Sequence, residues 1–191
     1  MIEVLCIRHG EAEHNTLYKS IGLAAYQHPS VVDSTLTNYG IEQAKEINKQ
    51  ILNIPDIDVV FVSPLTRALQ TCAEAIRNYP GVPVIVLDDL IEYPNTIDTP
   101  NKRKPVSILK EQYPSYDFSN ITSNEELIWN KRVMETLEQC QVRVDKLVEH
   151  IKDKYSDKSK ILIVGHSSWI SLLLYRKDTV LSHCKIYKTI L

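Results

Sequence analysis

Glycine is scarce in this chain, with five among 191 residues, so each one is worth placing. Cysteine is scattered: Cys6, Cys72, Cys140 and Cys184 form no C-x-x-C pair. That pattern argues against zinc-ribbon and thioredoxin folds. It suits reduced thiols of a cytoplasmic protein, with Cys6 and Cys72 as plain core residues. No apolar run approaches the roughly 20 residues that span a bilayer. The start, Met1-Ile2-Glu3-Val4-Leu5-Cys6-Ile7-Arg8-His9, lacks the basic opening and small-residue cleavage site of a signal peptide. A cytoplasmic protein without a membrane partner is expected. A basic excess is missing too: 22 Lys+Arg stand against 24 Asp+Glu, a net charge of −2. Nucleic acid is therefore not the expected partner, although a total can hide a local basic pocket.

The chain holds ordinary globular proportions, 43% apolar and 24% charged, and its length suits one domain spanning residues 1–191 with a packed core. Short apolar runs alternate with longer amphipathic ones. Ile2 to Ile7 reads as a strand apolar on both faces. Thr37 offers an N-cap for a helix from Tyr39 to Leu52, in which Ala44, Ile47 and Ile51 recur at helical spacing. Ile57 to Val62 is a second strand. Ser63-Pro64 has the composition of a helix start, and that helix should run to about Asn78. Val82 to Leu87 is a third strand. Asp88 to Pro105 holds three prolines and no periodicity, and is expected to be a long surface loop. Ser123-x-x-Glu126 matches a capping box and is expected to open the longest helix, with Leu127, Val133, Met134, Leu137, Val144, Leu147, Val148 and Ile151 on one face. Lys158 to Lys160 is a polar break. Ile161 to Val164 is a fourth strand, Ser167 to Tyr175 a helix, and Cys184 to Ile190 a last strand. Strand and helix alternating in this way predict an α/β fold, a three-layer α/β/α sandwich with a mostly parallel central sheet.

Ligands of open α/β sheets bind outside the carboxyl ends of the strands. The first strand is followed by Arg8, His9, Gly10 and Glu11, with Asn15 beyond; the second by Ser63, Pro64 and Arg67; the third, after several residues, by Glu92; the fourth by Gly165 and His166. Guanidiniums match phosphate or carboxylate oxygens. An imidazole can attack phosphorus or act as a base. A helix starting after Gly165-His166 aims its N–H groups at an anion. A loop carboxylic acid can protonate a leaving alkoxide. Together these residues provide for phosphoryl transfer without a metal: one histidine attacks, the arginines and the other histidine stabilise charge, and the glutamic acid protonates the leaving oxygen.

Arg8-His9-Gly10-Glu11 after a first strand, with Asn15 behind it, resembles the signature of the histidine phosphatase superfamily, whose fold is phosphoglycerate mutase-like. Leu36-Thr37-x-x-Gly40-x-x-Gln43-Ala44 is similar to its second segment, Ser63-Pro64-Leu65-x-Arg67-Ala68-x-Gln70-Thr71 to its third, and Val164-Gly165-His166-Ser167 to the segment of its second histidine. His183-Cys184-Lys185 is more loosely similar to the closing strand. The resemblance implies that His9 is the nucleophile and forms a phosphohistidine. It implies that Arg8, Arg67, His166 and Asn15 bind the phosphoryl group, that Glu92 is the proton donor, and that neither a metal nor an organic cofactor is needed. Asp88, Asp89 and Asp98 compete for the acid's role. The partner it implies is a small phosphorylated substrate or a phosphoprotein; whether the chain is a monomer or a homodimer stays open.

The chain departs from the glycolytic mutases. Glu92 is followed by Tyr93-Pro94-Asn95-Thr96 instead of a Tyr-Gly and Gly-Leu-Asn-Lys-type stretch, and the Gly-Trp-x-Asp pattern between Asn15 and Leu36 is missing. A mutase also needs a second basic clamp, for which Lys102, Arg103 and Lys104 are the candidates, a solvated loop being their alternative. A phosphatase is therefore preferred to a mutase. A phospho-ligand-binding module with decayed catalysis is less supported, because the histidines and arginines of the motif are all present. A histidine-ligated metallohydrolase lacks a suitable ligand spacing. His14, His28, His150 and His183 are expected to be surface or packing residues, with His14 near enough to line the pocket. Specificity is expected from residues 18–34, 88–105 and 101–124, with Tyr93, Tyr113, Tyr116 and Phe118 as a possible apolar wall.

Overall fold

A computed structural model describes residues 1–129, 132–155 and 159–191. Among these, β1 (Glu3–Arg8), β2 (Val59–Val62), β3 (Val84–Val86), β4 (Lys160–Gly165) and β5 (Ile186–Ile190) form one sheet in the order β3-β2-β4-β1-β5. All neighbours are parallel except β5, which runs antiparallel to β1. The helices are α1 (Glu13–Ile21), α2 (Asn38–Ile51), α3 (Thr66–Ala75), α4 (Val106–Gln112), α5 (Leu137–Lys154) and α6 (Ser167–Tyr175).

β1, β2, β3 and β4 are apolar on both faces because both are covered, whereas the edge strand β5 is only partly buried. Leu5, Ile7, Val60, Val62, Leu162 and Val164 share a core with Ile47 and Ile51 of α2 and Ala68, Leu69 and Cys72 of α3. The alternate residues, including Val4, Cys6, Val59, Phe61, Ile161 and Ile163, meet Cys140, Val144, Leu147 and Ile151 of α5 and Trp169 and Ile170 of α6. The expected three-layer α/β/α sandwich is present. So is the N-cap at Thr37, whose Oγ1 accepts the Gly40 N–H at 3.0 Å.

Several boundaries differ from the sequence pattern. α3 begins at Thr66, not at Ser63-Pro64. Ser63 Oγ lies 2.8 Å from His166 Nε2 instead, and the helix start is satisfied by a distant carboxylate: buried Asp33 accepts from Thr66 N at 2.8 Å and Thr66 Oγ1 at 2.6 Å. α3 also stops at Ala75, short of Asn78, which has positive φ. α1 and α4 lie in segments where the sequence shows no clear helical periodicity; α1 buries only His14.

The longest helix begins at Leu137, not after Ser123-x-x-Glu126. Its capping box is Thr136 with Gln139. Glu126 is drawn instead to Arg103, 3.5 Å away, and Leu127, Val133 and Met134 are exposed. The polar break includes Lys158, which lies outside the described residues.

Residues 88–105 are not a surface loop. Leu90, Ile91, Thr99, Pro100, Asn101 and Arg103 are buried. Two guanidiniums satisfy the irregular backbone that this burial removes from water. Arg103 pairs with Asp88 at 2.9 Å and donates to the carbonyls of Lys104, Ser123, Asn124 and Glu125. Arg143 pairs with Glu135 at 2.7 Å and donates to the carbonyls of Asp89 and Ile91.

Candidate active site

Sheet register sets the site. Arg8 pairs with Gly165 and Val62 with Val164. His9 N donates to Gly165 O at 2.9 Å, and Ser63 N to Val164 O at 3.2 Å. His9, Ser63 and His166 therefore leave three adjacent strands at one level.

The loop after β1 rests directly on the first turn of α2. A Cβ on Gly10 would stand 2.4 Å from Gly40 O, and one on Gly40 would stand 2.0 Å from Glu11 O, so this approach needs glycine at both positions. Side chains from the neighbouring helices hold the loop's N–H groups: Thr71 Oγ1 accepts from Gly10 N at 3.1 Å, and Gln43 Oε1 from Glu11 N at 2.8 Å. Gln70 Oε1 accepts from Leu36 N at 2.8 Å.

This frame fixes the tautomer of His9. Arg67 Nε donates to His9 Nε2 at 3.3 Å, so Nε2 carries a lone pair. The proton then sits on Nδ1, which lies 2.7 Å from Gly10 O and donates to it. Burial holds the His9 pKa well below the ordinary histidine value, with Arg67, His166 and Arg8 adding to the effect. The ring is neutral, and its basic nitrogen faces a guanidinium.

Arg67 is almost fully buried on α3. Its Nη1 donates to Pro100 O at 2.6 Å and its Nη2 to Asn101 Oδ1 at 2.8 Å. Burial lowers its pKa to about 10, which leaves it charged at neutral pH. Arg8 Nη1 donates to Leu181 O. Arg8 Nε, His166 Nδ1 and His183 Nε2 are buried polar atoms without a hydrogen-bond partner. The rings of His166 and His183 lie 5.2 and 5.6 Å from that of His9, centroid to centroid. Buried polar atoms are normally paired, so three such atoms around one imidazole mark a place built for an acceptor-rich ligand.

Asn15 caps α1, its Oδ1 accepting from Ala12 N at 2.9 Å. Its Nδ2 lies 3.0 Å from His14 Nε2 and donates one hydrogen there, leaving the other. His14 is buried with Nδ1 2.7 Å from Ser34 Oγ. Burial, then Arg67 and Arg8, lower its pKa to about 2.

Glu92 sits across the N-terminus of α6. Its carboxylate accepts from Tyr93 N at 2.8 Å, Trp169 N at 3.3 Å and Ser168 N at 3.4 Å. Burial nevertheless raises its pKa, outweighing these bonds and the nearby Arg67 and Arg8. Of the competing acids, Asp88 is held by Arg103 and Asp89 by Lys146 at 2.9 Å. Asp98 shares a cleft of about 640 Å³ with Glu92, Arg8, His9 and Arg67; burial, then Glu92, lifts its pKa to about 6. Among the described residues no group of three or more His, Cys, Asp or Glu side chains is arranged to hold a metal ion, and no helix is long and apolar enough to cross a membrane.

Residues 4–180 match the histidine phosphatase superfamily (branch 1). The chain belongs to this superfamily. Among its relatives, phosphomutase-like protein 3 of Candida albicans is 26% identical over 180 residues, covering 87% of this chain and 57% of that protein. The chain thus spans little more than half the length of that relative. A phosphoglycerate mutase-like protein of Arabidopsis thaliana is 26% identical over 200 residues, covering 88% of this chain and 72% of that one. The crystal structure of the alpha-ribazole phosphatase of Shigella flexneri is similar, with a TM-score of 0.60 at 25% identity, over 91% of this chain and 78% of that one. The fold is also that of the Entamoeba histolytica phosphoserine phosphatase in complex with 3-phosphoglyceric acid, with a TM-score of 0.62 at 20% identity over 100% of this chain and 91% of that one.

In this histidine phosphatase superfamily chain, Arg8, His9, Asn15, Arg67 and Glu92 line one cleft. His166 is not among the residues lining it; its ring lies 5.2 Å from that of His9 and its Nε2 2.8 Å from Ser63 Oγ. His14 and His183 line the cleft too, whereas His28 is exposed and His150 lies by Phe61. Lys102, Arg103 and Lys104 do not reach it: Lys102 lies over the Trp129 ring, Arg103 is buried, and Lys104 bonds Thr66. Tyr93 lines the cleft, but Phe118 is part of the core and Tyr113 and Tyr116 pack against it. Asn101, Tyr18 and Tyr26 were missed. They lie on segments without periodicity or a motif, and only their neighbours in the fold distinguish them.

Proposed function

We propose that this protein is a metal-independent phosphomonoesterase acting through a phosphohistidine on His9. The neutral His9, with its Nε2 lone pair beside Arg67 and three unpartnered buried nitrogens around it, carries this reading. Nε2 attacks phosphorus, and the phosphorus–oxygen bond to the leaving group breaks. The leaving oxygen takes the proton of Glu92, which its buried setting favours in the acid form. The Nδ1–H kept on Gly10 O steadies the cationic phosphoimidazole. Arg8, Arg67, His166 and the remaining Asn15 hydrogen hold the equatorial oxygens. Water then attacks phosphorus, giving its proton to the Glu92 carboxylate, and the bond from phosphorus to His9 Nε2 breaks, releasing inorganic phosphate and neutral His9.

Hydrolysis is favoured over mutase transfer because the only basic cluster proposed as a second clamp lies outside the cleft. The test is rapid acid or base quench with a labelled aryl phosphate. A base-stable, acid-labile label on wild type, absent in His9→Ala, supports the mechanism. Wild-type turnover by His9→Ala overturns it, and label moving between two hydroxyls of one substrate, without phosphate release, replaces hydrolysis by mutase transfer.

A further inference from the structure

The part of the cleft beyond the phosphoryl site has a chemistry of its own. The cleft volume of about 640 Å³ leaves ample room past a phosphoryl group. Tyr26 stands 6.2 Å from the His14 ring and 5.6 Å from Tyr18, centroid to centroid. This row of rings leads outward from His9, which is itself 5.9 Å from His14. Tyr93 also lines the cleft. The charges there are acidic. Asp98 and Asp178 line the cleft, and the only further cation among the lining residues besides Arg8 and Arg67, Lys19, is tied to Glu11 at 2.6 Å.

Aromatic walls favour planar partners in offset or edge-to-face contact. Carboxylates on a cleft wall repel a second anionic group, an effect that low local dielectric strengthens. We infer that this cleft selects phosphomonoesters whose leaving group is an aromatic ring carrying no second anion, with Tyr26 as the stacking wall and Asp98 as the residue that rejects anionic leaving groups. The inference rests on the proposed phosphomonoesterase reading and names the substrate class of the same site.

The test separates the two. Equilibrium binding is measured by calorimetry on His9→Ala protein, which needs no turnover, and phosphate release is measured on the wild type. Phenyl phosphate should bind His9→Ala about tenfold more tightly than 3-phosphoglycerate. Adding Tyr26→Ala should weaken phenyl phosphate about fivefold and change 3-phosphoglycerate by less than about twofold, the size expected for one aromatic contact. Adding Asp98→Asn should strengthen 3-phosphoglycerate about fivefold and leave phenyl phosphate unchanged. The Asp98 variant keeps the test decisive should loss of the Tyr26 ring disturb folding. Equal or tighter binding of 3-phosphoglycerate, or no gain from Asp98→Asn, overturns the inference while leaving phosphatase chemistry standing. The predicted preference in binding without wild-type phosphate release would instead defeat the phosphomonoesterase reading alone.

Discussion

The carboxyl edge of β1, β2 and β4 and residues 88–105 both supply the cleft, yet they are built differently. At the strand edge, ladder register places Arg8, His9, Ser63 and His166, and short polar bonds from Thr71 and Gln43 fix the loop. In the long segment, where regular elements are few, Arg103 and Arg143 gather carbonyls and carboxylates into a buried scaffold that carries Glu92, Asp98 and Asn101. The first region is ordered by a repeating backbone pattern, the second by two side chains. Damage should therefore separate function from stability: chemistry lost at the strand edge with the fold kept, and the fold weakened in the scaffold.

His9→Ala sharpens this most. Aryl phosphate turnover should fall about 10⁴-fold or more, as for other removed nucleophiles, with a thermal midpoint close to wild type. A large loss of midpoint would break the contrast. Arg103→Met should do the opposite. It leaves Asp88 and Glu126 without their guanidinium and should cost about 3 to 5 kcal/mol in denaturant unfolding. A cost no greater than that of a surface change would show that the scaffold does not depend on Arg103.

Glu92→Gln probes the junction of the two regions. The turnover of an alkyl phosphate should drop about 100-fold, and that of p-nitrophenyl phosphate much less, because its leaving group needs little protonation. In wild type the alkyl phosphate rate should decline as pH rises through the elevated Glu92 pKa, and Glu92→Gln should lack that decline. Equal losses on both substrates would remove the acid role. Gly40→Ala tests the contact between loop and helix: a methyl 2.0 Å from Glu11 O must push the loop away, and about 1 to 3 kcal/mol of stability should go with it.

The smallest effect is on pH and stability. His14 and His183 have pKa values lowered to about 2 and about 4 by burial, against 6.5 unfolded. Below pH 6.5 the unfolded chain binds more protons at these sites, so stability falls on acidification. Asp98, raised to about 6, works the other way, binding more protons when folded between its unfolded value near 3.8 and 6. Thermal midpoints at pH 7 and 5 should show a net fall, steeper in Asp98→Asn and shallower in His183→Gln.

Sequence reading succeeded where one local rule had no competitor. α2 matched closely because its Thr37 cap and its apolar periodicity agreed, and the strand-end positions of His9 and His166 followed from the strands before them. It failed where a residue suited to one local role was taken by a distant partner. Ser63 had the composition of a cap and went to His166. Glu126 had the spacing of a capping box, yet its Oε1 accepts from Ile128 N and Trp129 N and its Oε2 lies 3.5 Å from Arg103. Residues 88–105 had the composition of a surface loop, yet they are buried, with their own Arg103 reaching carbonyls beyond the segment and Arg143 of α5 holding carbonyls within it.

The sequence by itself determined the α/β layering, the parallel sheet and the residues at its carboxyl edge, because hydrophobic period and strand-end position are local properties of the chain. Only the tertiary structure decided which nitrogen of His9 bears the lone pair, which acids share the cleft, and that Lys102, Arg103 and Lys104 do not. Those outcomes depend on partners tens of residues apart, whose competition for buried hydrogen bonds no local pattern records.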